Sequence, residues 1–456
     1  MNKHLRTIIH GLDSSKSRKA ARMSRIFNLI YIVLLVVAAP WLIYRSWKTG
    51  KYRDGWGEKF LGRCPERVGR GECIWFHAVS VGEVRLLQPL VAELQRRRPD
   101  WDIVISSTTE TGLAQARQLF PELLTFFAPL DFSWATRRAI SRIRPTTLAL
   151  VELELWPNLI RTAQESGARV CLLNGRLSVK SQRGYQRAKR WLGSTLARID
   201  MVAVQTEEYA ERFGTLGFPK PKLKVTGSIK YDNLETDRNH PKTSALRQLL
   251  RLTKGEVVWV AGSTMAGEES IILSVYRDLV AEGVELRLIM VPRHPERFDE
   301  VARMIEQNGM PMIRRSQLGD RPMPEQCQDA VILVDTLGEL SAVWGLADLA
   351  FVGGSLLPGR GGQNMMEPAA FGASVYFGEH TSNFRDTVQL LMSRSAATIV
   401  ADGDALSKAI QEDLKNKTER LLRGMRAREL VMAQVGATSR TVVELERLME
   451  RAHGYN

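Results

Sequence analysis

A pattern that runs twice along the chain constrains its fold more than any other feature. From about Glu72, short apolar runs alternate with amphipathic stretches. The runs are CIWFHAV, WDIVISST, LLTFFAPL, TLALVELE, ARVCLLNG, DMVAVQT and LKVTGSI. Between them lie stretches such as GLAQARQLF, WATRRAISRIR and EEYAERFGTLG, whose apolar residues recur at helical spacing. Strand, crossover helix, next strand is the signature of a parallel sheet covered on both faces. The polar stretch YDNLETDRNHPKT then interrupts the alternation, which restarts with EVVWVAGST, ELRLIMVP, AVILVDT, DLAFVGG and ASVYFG. The expected fold is α/β: two Rossmann-like, doubly wound parallel sheets in tandem, a number of domains that suits 456 residues. Ligands of such sheets bind outside the carboxyl ends of the strands, so a central cleft faced by both domains is the expected site.

The N-terminus adds a different element. From Ile26 to Tyr44 no residue is charged, while Lys16, Arg18, Lys19, Arg22 and Arg25 precede the stretch and Arg45, Lys48, Lys51 and Arg53 follow it. Its nineteen residues come close to the length that crosses a hydrocarbon layer of roughly 30 Å. No small-residue cleavage site follows, so a retained membrane anchor is expected rather than a signal peptide. It either spans the bilayer or lies in its interface. The net charge of +14 favours an anionic partner: nucleic acid, a membrane surface or a phosphorylated substrate. No nucleic-acid recognition motif accompanies that charge, so nucleic acid is not expected. The four cysteines, Cys64, Cys73, Cys171 and Cys327, have neither zinc-like spacing nor a disulfide pattern, which points to a reducing compartment and no metal site.

The strand-to-helix turns are where chemistry is expected. Ser80, Val81, Gly82 and Glu83 join CIWFHAV to VRLLQPL, with Gly82 expected to let the chain turn and expose Glu83. A glutamate there either complements the helix dipole or serves as a general base. The hydroxyls of SSTTETG, Thr109 among them, suit a helix start. Glu152 and Glu154 leave a strand at period two, which predicts that they share a side. Lys230, in VTGSIKYD, is placed to meet an anion. In the second half, WVAGSTMAGEES carries Ser263, Thr264, Gly267 and Glu268, VPRHPERF carries Arg293 and His294, and VDTLGELSAVW carries Asp335, Gly338 and Glu339. FVGGSLLPGRGGQNMMEP carries Gly353, Gly354, Gly361 and Gly362 ahead of a helix expected to start near Gln363 or Asn364. Such turns attract phosphate, yet none is a P-loop or a G-x-G-x-x-G fingerprint.

In order, the motifs HAVSVGEV, STTETG, APLDF, VELELWPNLI, NGRLS, VTGSIKYD, VPRHPERF, VDTLGELSAVWGLADLAFVGGS, GGQNMMEPAAFG and FGEHTSNF make the chain, from about Gly55 to Arg440, resemble the 3-deoxy-D-manno-octulosonic acid (Kdo) transferases of lipopolysaccharide biosynthesis. The resemblance implies a GT-B fold and an inverting glycosyltransferase at the cytoplasmic face of the inner membrane. It would move Kdo from CMP-Kdo to a lipid A precursor, with no cofactor and no metal. It also implies Glu83 as the catalytic base. Donor contacts would come from Lys230, Ser263, Thr264, Arg293, His294, Gly338, Glu339, Asn364 and Glu367. Acceptor-binding or supporting positions would be Ser80, Gly82, Thr109, Glu152, Glu154 and Arg176. Family members usually carry His where this chain has Gln363, which cannot hold a proton.

The implied organisation is a basic extension (1–25), a membrane anchor (26–45), an acceptor-binding domain (46–232), a linker (233–242), a donor-binding domain (243–435) and a C-terminal helix (436–456). Another membrane-associated GT-B glycosyltransferase or a sugar-nucleotide epimerase is the alternative on the same fold.

Overall fold

The structure, a computed structural model, describes residues 25–450 except 34, 38, 42, 43, 45, 46, 49–54, 233 and 254, and except the side chains at 190 and 191. The basic extension therefore lies almost wholly outside the described residues. The chain forms two compact units: residues 1–232 with 434–456, and residues 233–433.

Each run of the first half becomes a strand: β1 (Cys73–His77), β2 (Asp102–Ser107), β3 (Leu124–Phe127), β4 (Thr147–Val151), β5 (Arg169–Gly175), β6 (Met201–Val204) and β7 (Leu223–Val225). They pair in parallel in the order β3-β2-β1-β4-β5-β6-β7. The central strands are buried on both faces, so their apolar residues run continuously rather than alternating with polar ones. Ile74 and Phe76 of β1 pack beneath Val84, Leu87, Leu90 and Leu94 of helix Val81–Arg97. Trp75, between them, faces the opposite layer with Ile140, Leu159 and Ile160. Fully burying such a Leu, Ile or Phe contributes about 1.5–3 kcal/mol, which makes these two layers the main support of the sheet.

The second unit repeats the plan with β8 (Val258–Thr264), β9 (Arg287–Pro292), β10 (Met312–Arg314), β11 (Val331–Leu333), β12 (Leu349–Val352), β13 (Ser374–Gly378) and β14 (Ala397–Val400). Their order is β10-β11-β9-β8-β12-β13-β14, again all parallel. Neither outer strand, β10 or β14, stands out in the sequence. The last helix, Ala437–Glu450, returns to the first unit, where Ala437, Val442 and Leu445 join the layer over β1. Asp232 caps its start, accepting the backbone N–H groups of Gly436 (2.7 Å) and Ala437 (3.1 Å).

Residues 233–242, expected as a linker, are tied to the second unit: Arg238 Nε donates to the Phe371 carbonyl at 2.7 Å, and helix Pro241–Leu249 begins within the segment. The expected membrane anchor is helical at residues 25–33, and no helix among the described residues is long and apolar enough to cross a membrane.

Each strand order has a switch point where successive crossovers leave in opposite directions, between β1 and β4 and between β8 and β12; in the second sheet β11 also inserts between β9 and β10. Ligands of doubly wound sheets bind outside such switch points. The turns after those four strands are therefore the ones that matter.

Candidate active site

In the first unit, Ser80 caps helix Val81–Arg97. Its Oγ accepts the Glu83 backbone N–H at 3.3 Å and donates to Glu83 Oε1 at 2.8 Å, while the Val79 N–H donates to Glu83 Oε2 at 2.7 Å. This Ser-x-x-Glu reciprocity is a capping box, and it fixes the carboxylate at the helix start. The Val79 carbonyl is in turn held by Ser107 Oγ (3.1 Å) and Thr109 Oγ1 (3.0 Å) from the end of β2. Thr109 also caps the next helix, accepting the Gly112 N–H at 3.1 Å. A methyl at Gly112 would come within 2.3 Å of Ser107 Oγ, so that glycine is what lets the hydroxyls converge.

Gly82 has a different role from the one expected of it. Its backbone is helical, and a side-chain carbon there would meet only Ser80 Oγ, at 3.8 Å. The turn is made by Ser80, and Gly82 leaves space beside Glu83.

Burial raises the Glu83 pKa, partly offset by the hydrogen bonds from Val79 and Ser80, and the negative charge of Glu152 raises it further. A carboxyl shifted towards neutrality is a stronger base than an ordinary one. Glu152 follows β4 with a left-handed backbone (φ 58°), so strand periodicity does not govern where it and Glu154 point. Glu152 pairs with Lys230 Nζ at 3.2 Å and Arg176 Nη2 at 3.4 Å. Glu154 accepts Trp156 Nε1 at 3.0 Å, and burial, with the charges of Glu83 and Glu152, raises its pKa. Three carboxyls and two cations thus gather at the first switch point. Lys230, expected among donor contacts, belongs to this group.

The sequence reading missed His77. It is fully buried, and desolvation lowers its pKa to about 4, so it is neutral at physiological pH. Ser106 Oγ lies 3.0 Å from His77 Nδ1 and accepts Trp75 Nε1 at 2.7 Å, and the imidazole stands edge-on to Trp156 at 5.3 Å. His77 therefore supports the indole that holds Glu154. The available signal was a histidine inside an otherwise apolar strand.

In the second unit, Glu268 opens helix Glu268–Ala281 with no exposed surface. Its carboxylate accepts four backbone N–H groups: Met265 (2.9 Å), Gly354 (2.7 Å), Ser355 (3.0 Å) and Leu356 (3.0 Å). The turn after β12 was expected to offer those groups to a phosphate. They are already taken by a side chain, so this turn cannot bind one with them. Glu268 instead locks the turns after β8 and β12 together. Gly353 allows the contact, because a methyl there would lie 2.4 Å from the Ser263 carbonyl. Ser263 itself has a left-handed backbone (φ 55°), a conformation that costs a non-glycine residue about 1–2 kcal/mol. The neighbouring Glu269 is equally buried and pairs with Arg297 at 2.5 Å, which fixes the turn after β9.

The remaining donor candidates divide. Glu367 accepts Asn364 Nδ2 at 3.1 Å; burial raises its pKa, offset by Asn364, the Trp344 indole and the charge of Arg293. Ser263, Arg293, Asn364 and Glu367 remain candidates for donor contacts. Arg293 is exposed, and His294 lies 3.7 Å from Glu296. Thr264 is buried completely. Glu339 pairs with Arg315 at 3.0 Å and accepts the Thr336 hydroxyl. With Gly338, Lys242 and Leu337 it lines a hollow of about 650 Å³. A second hollow of about 410 Å³ is lined by Arg360, His380, Ser382 and Arg385, none of them singled out in the sequence although the last three lie in or beside FGEHTSNF.

Residues 54–233 match the family described as 3-Deoxy-D-manno-octulosonic-acid transferase (kdotransferase). Over 435 residues the chain is 35% identical to the 3-deoxy-D-manno-octulosonic acid transferase of Haemophilus influenzae, covering 93% of this chain and 99% of that one. This chain belongs to the Kdo transferase family. The Bordetella pertussis Kdo transferase is 34% identical over 445 residues, covering 91% of this transferase and 98% of its own length. The crystal structure of Acinetobacter baumannii MurG superimposes with a TM-score of 0.55 over 83% of this transferase and 100% of MurG, at 12% identity, a likeness of fold alone. The transferase is therefore a glycosyltransferase of the GT-B type that transfers Kdo in lipopolysaccharide biosynthesis.

Proposed function

We propose that the transferase moves Kdo from CMP-Kdo to a lipid A precursor with inversion at the anomeric carbon, and that Glu83 is the general base. The observation that carries this reading is the seat of Glu83: a carboxylate held by Ser80 and the Val79 N–H at a sheet switch point, with its pKa raised by burial. Glu83 takes the proton of an acceptor sugar hydroxyl. The oxygen forms a bond to the anomeric carbon of Kdo as the bond from that carbon to the phosphate oxygen breaks. CMP leaves as an anion, which the second unit's basic residues, Arg293 among them, stabilise electrostatically. Gln363 contributes at most a neutral hydrogen bond in that setting. The charge-free stretch with basic flanks supports a membrane-bound enzyme, and we place its action at the cytoplasmic face of the inner membrane.

The test is a thermal-shift series with CMP, CMP-Kdo and a panel of UDP-sugars on the purified full chain. Stabilisation by the cytidine compounds alone is expected. Stabilisation by a UDP-sugar and none by CMP-Kdo would overturn the donor assignment.

A further inference from the structure

The apolar stretch that starts at Ile26 contains two polar residues three apart, Asn28 and Tyr31, and both are engaged by the first unit. Asn28 Oδ1 accepts the Ser133 N–H at 3.0 Å, and its Nδ2 donates to Ser133 Oγ at 2.9 Å. Asn158 Nδ2 approaches the same Oδ1 at 3.3 Å. The Tyr31 hydroxyl donates to Asp131 Oδ2 at 2.9 Å, and its ring stands edge-on to Phe132 at 6.1 Å. Asp131 is buried, and its carboxylate also accepts the N–H groups of Asn158 (3.0 Å) and Leu159 (2.8 Å) at the start of helix Pro157–Glu165. One carboxylate therefore joins the apolar helix to the turn that carries Glu152, Glu154 and Trp156. Away from this contact, Leu29, Val33, Val36 and Val37 are exposed.

That attachment limits how the helix can meet a bilayer. Residues bonded to Ser133 and Asp131 sit against polar protein, which hydrocarbon cannot accommodate. From Ile32 to Tyr44 only 13 residues remain. Even a continuous helix over that many residues, at about 1.5 Å per residue, would span only about 20 Å, short of the roughly 30 Å of a hydrocarbon core. Exposed Trp41, Tyr44 and Trp47 beside basic residues suit the headgroup region instead.

We propose that the apolar helix lies in the membrane interface without crossing it, and that Asn28 and Tyr31 are positioning residues that clip it to the acid-bearing turn. The bilayer surface then sets the orientation of that turn towards a lipid-borne acceptor. This rests on the membrane-bound reading given above.

The test uses the full chain with Cys327→Ser, which removes the one cysteine that is not buried. A single cysteine is placed in the N-terminal extension (Lys16→Cys) or on the exposed helix of the first unit (Glu211→Cys). In sealed inverted inner-membrane vesicles, an impermeant maleimide is expected to label both without detergent. Protection of Lys16→Cys until detergent is added, with Glu211→Cys labelled, would overturn the in-plane seat. Absence of the chain from the vesicles would overturn the membrane reading and this proposal with it. Tyr31→Phe checks the clip. Loss of one hydrogen bond is expected to lower turnover of a tetraacylated acceptor in vesicles by about 5- to 10-fold, and of the same acceptor in detergent micelles by no more than about two-fold. The KM for CMP-Kdo should stay constant. An equal effect in both formats would overturn the positioning role.

Discussion

Ser80 and Glu83 hold each other at the start of one helix, the hydroxyl donating to the carboxylate at 2.8 Å and accepting the Glu83 N–H at 3.3 Å. The same contact that caps the helix also sets the basicity of the carboxylate, because a donor to the ionised form lowers its pKa. On the proposed role of Glu83 as the base, helix capping and catalysis share one hydrogen bond, and its loss should register in both.

Ser80→Ala is expected to cost about 1 kcal/mol of stability through the lost cap. It should also move the acid limb of the kcat/KM profile to higher pH. Glu83 must be ionised to act, activity falls as pH drops through its pKa, and without the Ser80 donor that pKa rises further. A pH–rate series on the variant and the parent checks both the direction and the accompanying fall in Tm.

Glu152→Gln should shift the same limb the other way. The Glu152 charge raises the Glu83 pKa, so its removal lets Glu83 ionise at lower pH. It also leaves Lys230 and Arg176 without their shared anion, which adds positive potential nearby. An unmoved or upward-shifted limb would argue against electrostatic coupling between the two acids.

Glu268→Gln should act on the donor side alone. An amide has one acceptor oxygen where the carboxylate serves four N–H groups, so the turns after β8 and β12 loosen. Unsatisfied buried donors cost about 1–3 kcal/mol each, and a KM for CMP-Kdo raised about ten-fold with an unchanged acceptor KM is the expected result. Steady-state kinetics with each substrate varied in turn separates this from a general loss of folded enzyme.

Asp131 gives stability a pH dependence. Burial pushes its pKa up from an ordinary 3.8 to about 7. Between those values the native chain keeps a proton that the unfolded chain has released. Its contribution to stability is therefore fully present below about pH 4, declines as pH rises through about 7, and is constant above that. Asp131→Asn removes the titration, so the difference in Tm between parent and variant should change across that window and stay flat above it.

The sequence was most legible where burial is continuous. Strands such as β1, β4, β8 and β9 stand as continuous apolar runs because both their faces are covered. Strands β10, three residues long and only partly buried, and β14, four residues long and half exposed, are short edge strands that the sequence reading did not pick out. Of the site, the position of Glu83 followed from the change of period at Ser80. The fate of the turn after β12 did not, because whether its N–H groups await a ligand depends on Glu268, more than eighty residues earlier. The left-handed backbones of Glu152 and Ser263 carry no local sequence signal, and they decide where those residues face.

The central claim is Kdo transfer with Glu83 as the base, and mass spectrometry of reaction products tests it most directly. The purified full chain and its Glu83→Gln variant are incubated with CMP-Kdo and a defined tetraacylated lipid A precursor. The parent is expected to add Kdo to the acceptor. The variant should turn over about 10²- to 10⁴-fold more slowly, the usual contribution of a general base, while still binding CMP. An acceptor left unmodified by the parent, or a variant that transfers Kdo at the parental rate, would contradict the account.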